Sequence, residues 1–339
     1  MSPGLIATLA KMVVVLGFLL TVVPVMVWVE RRGSAMMQDR PGPNRLGPFG
    51  LFQGLADAIK FFFKEDVTPS AVDRPMFLAA PVLALLPALT TFAVIPFGPD
   101  LVFHGRTIHL IVADADAGVL LFLALASLGV YGLVMAGYGS NNKFSLLGSI
   151  RASAQMVSYE LALTLAVVAA IIPAGSFRLD DVVAYQRAHL WSFLPQILGF
   201  LVFLIASFAE TNRLPFDLAE AESELIAGFH TEYSAMRFAT FFMAEYISMT
   251  SLSALGVTLY FGGWSLPGVN LPAGWIGALL GFGILIAKIA FCLAVYVWVR
   301  WTFPRFRYDQ LMRLGWKVLL PLAILNLLVV AALTIAGWL

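Results

Sequence analysis

The sequence predicts an all-α polytopic membrane protein of about eight transmembrane helices, with one interfacial amphipathic helix, and three observations carry that prediction. Of 339 residues, 60% are apolar and only 12% charged, against ~25% charged in an ordinary soluble domain. Stretches free of Asp, Glu, Lys and Arg run over 12–29, 75–99, 117–142, 161–177, 188–209, 246–287 and 318–339, and a helix needs about 20 mostly apolar residues to cross ~30 Å of hydrocarbon. All eight tryptophans fall near the ends of the resulting spans, where indole rings anchor at the interface.

The expected spans are 5–29, 75–97, 115–138, 157–174, 192–211, 236–262, 274–300 and 317–338, within a single domain of residues 1–339. Span one precedes its basic cluster Glu30-Arg31-Arg32, the reverse of a cleaved signal peptide. After it, the Pro41-Gly42-Pro43 turn projects Arg40 and Arg45. Over 49–64 the polar residues Gln53, Asp57, Lys60 and Lys64 form one stripe against Phe, Leu and Ile, the pattern of an interfacial amphipathic helix too short to span. The run 246–287 accommodates two passes, because Gly262, Gly263, Pro267, Gly268 and Pro272 punctuate it. Sixteen of the twenty-one Lys and Arg fall in or beside the odd-numbered loops, which places those loops in the cytoplasm and both termini outside.

Composition also excludes. A net charge of +1 provides no field for nucleic acid. The single cysteine, Cys292, cannot build an iron–sulfur cluster or a zinc site alone, so no metal is expected on this chain. G-x-G-x-x-G, G-x-x-x-x-G-K-[ST] and H-E-x-x-H do not occur, so nucleotide binding and zinc-protease chemistry lack their usual supports. His104, His109, His189 and His230 fall in expected loops, where none pairs with another to ligate haem.

The informative residues are charges inside spans, each costing roughly 2.5–3.5 kcal/mol at the centre of a bilayer. They are Glu160, Glu210, Glu245 and Lys288. Counting ~1.5 Å per residue, Glu245 lies roughly 14 Å and Lys288 roughly 18 Å from the cytoplasmic side, a shared level. Either the carboxylates form a proton relay, or they are structural pairs such as Glu245 with Lys288. Lys11 is near the outer end and can snorkel. Loop five gathers Glu210, Asp217, Glu220, Glu222, Glu224 and Glu232 around one base, Arg213. Asp217 and Glu220 fit a capping box, whereas like charges at 220 and 224 would repel across one helical turn; a solvated acidic loop is the alternative. The arginines of loop one contact lipid phosphate or another subunit, or else frame a polar pocket at the membrane surface. Loop seven, from Arg300 to Lys317, suits anionic lipid first and subunit docking second.

Four strings then carry a resemblance: ERRGSAMMQDRPGPNRLGPFGLFQGLADAIKFFFKED, GYGSNNKFSLLGSIRASAQMVSYE, AETNRLPFDLAEAESELIAGFHTEYSAMRF and RWTFPRFRYDQLMRLGWK. In order and over essentially the whole chain, they resemble the H-subunit family of bacterial proton-pumping NADH:quinone oxidoreductase (respiratory complex I), counterpart of the first mitochondrially encoded NADH dehydrogenase subunit. The resemblance implies a quinone tunnel with Glu30, Arg31, Arg40 and Asp57 at its junction. It also implies a coupling loop of Glu210, Asp217, Glu220, Glu222, Glu224 and Glu232, and a proton path through Glu160, Glu210 and Glu245, to which the depth count adds Lys288. Quinone is then a substrate, and FMN and iron–sulfur clusters belong to partner subunits in a bacterial plasma (inner) membrane. Peripheral-arm, small and antiporter-like subunits are the expected partners, beside anionic lipids. In one departure, span three has only neutral residues such as Ser127 where some members carry a glutamate. The rivals are an H-like subunit of a membrane-bound hydrogenase or formate-oxidising complex, and a stand-alone proton-coupled transporter.

Overall fold

The computed structural model describes residues 3–103, 106–189, 191–219, 226–269, 271–272 and 274–338. The chain is an all-α polytopic membrane protein. Helix α1 (Pro3–Met37) is 35 residues long and contains Pro24, which removes one backbone donor from its middle. A short 3-10 turn at Pro48–Gly50 leads into α2 (Gln53–Phe63). The amphipathic helix therefore starts later than 49, because Gly47 and Gly50 take positive φ values of 71° and 74°, outside the helical region. Leu55, Ile59, Phe62 and Phe63 of α2 are exposed, as an interfacial helix requires.

Helix α3 (Arg74–Thr91) begins with Asp73 accepting from the Met76 amide at 3.4 Å. It stops short of residue 97. Pro96 and Pro99 cannot continue a helix, and the chain instead makes a 3-10 turn and a short antiparallel hairpin, β1 (Leu101–Phe103) with β2 (Arg106–Ile108). The alternation there is too brief to have been legible in the sequence. Helix α4 (Gly118–Gly139) matches span three. Helix α5 (Lys143–Ile171) starts at Lys143, capped by the Asn142 side chain at 2.9 Å, and not at 157. Its first turns carry Lys143 and Arg151, so the apolar run marks the membrane while the helix continues past it. A further helix, α6 (Leu179–Ala188), occupies loop four with Asp180 and Asp181 in its first turn, where carboxylates favour the helix dipole.

Helices α7 (Ile197–Glu210), α8 (Ala235–Tyr260) and α9 (Trp275–Thr302) follow. The chain ends with α10 (Tyr308–Leu314), one π turn (Gly315–Leu319) and α11 (Leu320–Ile335), which run on as one rod. Among the described residues, six helices are long and apolar enough to cross a membrane: Gly4–Met37, Arg74–Val94, Gly118–Gly139, Lys143–Ile171, Trp275–Thr302 and Tyr308–Ile335.

Expected spans five and six correspond to α7, a shorter apolar helix, and α8, which is more polar. Their environment explains both. Helix α8 packs against α1, α2, α3, α7 and α9, and its residues 249–260 are all buried. Surrounded by protein instead of lipid, it tolerates Thr250, Ser253 and Thr258, whose hydroxyls donate to carbonyls one turn back at 2.8 Å and are thereby satisfied.

Candidate functional site at the α1–α8 junction

Five side chains meet where α1, the turn after α7, α8 and α9 converge. The Arg213 Nη1 atom donates to Glu30 Oε1 at 3.2 Å, and its Nε lies 2.5 Å from Glu245 Oε1. The guanidinium also lies over the Tyr246 ring, 4.3 Å from its centroid, in cation–π contact. Arg300 donates to Glu30 Oε1, and the Tyr246 hydroxyl donates to Glu30 Oε2. The Arg213 side chain is only 8% exposed and that of Glu30 12%. Two guanidinium groups thus balance two carboxylates in a largely dry space, the condition under which buried charges are tolerated. Backbone geometry aims the central arginine: Asn212 takes φ +50°, and Gln155 of α5 holds the turn by donating to the Ala209 carbonyl at 2.7 Å and to Asn212 Oδ1 at 3.1 Å.

Arg31, next to Glu30, points to the other side of α1 and donates to Asp57 of α2 at 2.6 Å. Gln53 also donates to Asp57, at 3.3 Å. Arg40 stays outside this junction, exposed and donating to Gln38 at 2.7 Å. The candidate junction residues therefore divide: Glu30 faces the interior, Arg31 and Asp57 tie α1 to α2, and Arg40 stands apart.

In loop five, Asp217 is buried and accepts from Arg305 at 2.8 Å, so its carboxylate is engaged across to loop seven. Glu232 accepts from Asn142 at 2.6 Å, joining loop five to loop three. Glu220, Glu222 and Glu224 lie outside the described residues.

Glu210 ends α7, is 7% exposed, and its Oε2 has no hydrogen-bond partner among the described residues. It borders an interior cavity of about 90 Å³ whose other polar lining includes Glu245, His230, Asn212, Ser248 and Ser251. Since one water needs about 10–15 Å³, several fit. The structure brings Glu210 and Glu245 to one cavity; Glu160 is on α5, which packs directly on α7.

Lys288 requires a correction. Its ammonium donates to the carbonyls of Phe261, Gly263 and Ser265 at 2.7, 2.8 and 2.6 Å and lies 5.2 Å from the Trp191 ring centroid. Between Glu245 and Phe261 the chain climbs roughly 24 Å at ~1.5 Å per residue. The two charges do not share a level and do not pair. The depth count failed because α8 and α9 do not end level. Tyr246 and Arg300 meet at Glu30, which sets Lys288, twelve residues before Arg300, roughly 18 Å along α9 from the level of Glu245. Its ammonium then reaches the carbonyls at the end of α8, which attract a cation.

Arg213, Tyr246, Arg300 and Arg305 carry much of this network yet did not stand out in the sequence as site residues. Arg213 had a signal, being the one base among six acids; Tyr246 had none, and the loop-seven arginines were hidden by their fit to lipid.

Fold and site together define a multi-pass membrane protein with a charged, partly dry junction at one end of its helix bundle. The family model for NADH dehydrogenase matches residues 10–331. Among curated relatives, an H subunit of NADH-quinone oxidoreductase from Geobacter metallireducens is 49% identical over 330 residues, covering 97% of this chain and 95% of the relative. The H subunits of the same oxidoreductase from Leptospira biflexa (48% over 334 residues, 94% and 93%) and Syntrophobacter fumaroxidans (48% over 331 residues, 98% and 97%) are similar to it in the same way. The chain belongs to the NADH dehydrogenase family, as the H-type membrane subunit of NADH-quinone oxidoreductase. It is accordingly an enzyme subunit that works with the other subunits of that complex.

Proposed function

We propose that this chain forms the membrane part of a quinone-binding tunnel and couples quinone reduction to proton translocation. The supporting observation is the position of Arg213, which touches Glu30 on one side and Glu245 on the other. One guanidinium shared by two carboxylates makes the charge of each sensitive to the other. Arg31, the neighbour of Glu30 in α1, is tied to Asp57 of α2, the side on which a bilayer-dissolved amphiphile would meet the protein. Glu245 borders the water-sized cavity that also holds Glu210.

In this scheme electrons come from FMN and iron–sulfur clusters held by partner subunits, and the quinone head takes up two protons as it is reduced. This chain performs no hydride transfer; it binds, orients and supplies electrostatics. The altered charge near Glu30 changes how tightly Arg213 holds Glu245, and a protonation change passes among Glu245, Glu210 and Glu160 toward antiporter-like partners. The loop-five acids Asp217, Glu220, Glu222, Glu224 and Glu232 transmit the same change from the peripheral side. Lys288, engaged at the far end of α8, has no part in this proposed path. The host membrane is a bacterial plasma membrane with the odd loops cytoplasmic and both termini outside, by the charge asymmetry of the loops.

The test is NADH:quinone turnover and proton uptake in membranes bearing Glu245→Gln, or Glu222→Gln with Glu224→Gln. Loss of coupled turnover with NADH:ferricyanide activity intact is the expected result. Full turnover with full pumping in all of them removes these carboxylates from the mechanism.

A further inference from the structure

Of the described histidines, His230 alone is buried, at 7% exposure, whereas His109 and His189 are exposed. It ends a 3-10 turn, Gly228–His230, and borders the cavity shared by Glu210 and Glu245. Among the described residues these three are the cavity's acid–base side chains. The turn is held firmly. Gly228 has φ +60° and packs so closely on α5 that a Cβ at Gly148 would lie 2.8 Å from the Gly228 Cα. Thr231 Oγ1 donates to the Gly228 carbonyl at 2.7 Å, and the Tyr233 amide donates to the His230 carbonyl at 3.0 Å.

The imidazole is walled by Phe229, Phe238 and Phe242, with ring centroids 4.9, 5.1 and 6.0 Å away and steeply inclined planes. Helices α4 and α5 line the cavity with apolar side chains such as Phe122, Leu133 and Met156. The charged groups on the surrounding elements, among the described residues, are Arg74 at the start of α3, Lys143, Arg151 and Glu160 on α5, Glu210 at the end of α7, Arg237 and Glu245 on α8 and, two residues along the same loop, Glu232. Arg237 of α8 is held away by Asp66 at 2.9 Å. Glu232 faces loop three through Asn142. His230 therefore borders the cavity of the two carboxylates and lies two residues from an acid that faces loop three.

We infer that His230 is a proton carrier of this cavity, exchanging protons between the Glu232 side of loop five and Glu210 and Glu245. An imidazole suits the task because it titrates near neutrality and has two ring nitrogens, one to accept and one to donate. A proton bound on one nitrogen makes the imidazolium. Release of the other proton to a cavity water or carboxylate returns the neutral ring, so one proton has moved and no electrons have. This inference rests on the coupling function proposed above and adds to it a residue that the carboxylate chain omits.

The experiment compares His230→Gln and His230→Asn with Glu210→Gln in membranes containing the whole complex. NADH:ferricyanide activity serves as the measure of assembly, and NADH:quinone turnover with proton uptake is followed from about pH 5.5 to 8.5, a window around the ordinary histidine pKa of ~6.5. The amide variants are expected to lower coupled turnover at neutral pH by about tenfold or more, the scale of a lost proton-transfer group, and to abolish the inflection near neutrality. An assembled variant of either kind that retains the wild-type inflection overturns the assignment, even if turnover falls uniformly, because that is the signature of a packing role. If Glu210→Gln pumps normally, the coupling function itself fails; if Glu210→Gln is uncoupled while the His230 variants keep their inflection, only the role of His230 fails.

Discussion

Gly54 of α2 lies against the backbone of Pro24 in α1, so closely that a Cβ at position 54 would sit 2.6 Å from the Pro24 carbonyl oxygen. Only a residue without a side chain lets the amphipathic helix approach α1 at this point. The approach also sets the reach of the Arg31 to Asp57 bond at 2.6 Å. Gly54→Leu is expected to push α2 outward, at an overpacking cost of about 1–3 kcal/mol. The measurable result is a raised apparent KM for quinone with NADH:ferricyanide activity unchanged; unaltered quinone kinetics would show that the contact is not needed for access.

Arg213 is expected to resist conservative replacement. Lysine offers a compact charge and cannot fork between two carboxylates, so Arg213→Lys should lose most coupled turnover. Arg213→Met should also destabilise the assembled complex, since removing one partner of a buried ion pair costs about 3–5 kcal/mol, moderated here because Arg300 still serves Glu30. Adding Glu245→Gln to Arg213→Met should recover part of the lost thermal stability. A strictly additive double variant would mean that Arg213 and Glu245 are not energetically linked.

On the opposite face, burial pushes the Asp180 carboxyl up to about 6, helped by Asp114 and Asp100 and opposed by Arg178 and His109. Arg178 is itself occupied by Asp114 at 2.9 Å. A carboxyl whose folded-state pKa is raised binds its proton more tightly in the folded chain than in the unfolded one. Its contribution is therefore complete below the ordinary aspartate range of ~4 and is lost as pH rises through the folded value. Asp180→Asn should accordingly gain in melting temperature over the wild type between pH 5 and about 8, with little difference at the acid end. A gap that does not depend on pH would contradict this.

Lys288→Met removes the donor shared by three carbonyls at the end of α8. With charged hydrogen bonds worth about 1.5–3 kcal/mol each, a clear drop in thermal stability is expected, whereas the pH profile of coupled turnover should stay unchanged because Glu245 is not its partner. A shifted profile would return Lys288 to the proton path.

The apolar runs made the helix bundle legible, because the membrane imposes a length that composition alone reveals. Loops two and four were not legible: the two strands of loop two are three residues each, and α6 of loop four is too short and too polar to be distinguished from a solvated segment. Among site residues, Glu210 and Glu245 stood out through the cost of charge at depth, and Glu30 only through the resemblance. Arg213 did not, since a loop arginine fits equally well with cytoplasmic orientation, and its value lies in partners far apart in sequence, at 30 and 245. The Glu245 to Lys288 pairing failed because counting from the expected span ends assumes that α8 and α9 end level, whereas Tyr246 of α8 meets Arg300 of α9 at Glu30.

Helix α1 extends farther than a bilayer requires. Its 35 residues measure about 52 Å at ~1.5 Å each, against ~30 Å of hydrocarbon, and even a steep tilt of ~40° leaves about 40 Å. Trp28, whose indole donates to the Phe49 carbonyl at 2.9 Å, marks the interfacial level, and Glu30 stands at or above it. Under the proposed function, a hydrophobic molecule whose polar head reaches Glu30 has therefore climbed out of the lipid, and its tail exchanges the company of acyl chains for protein as it rises.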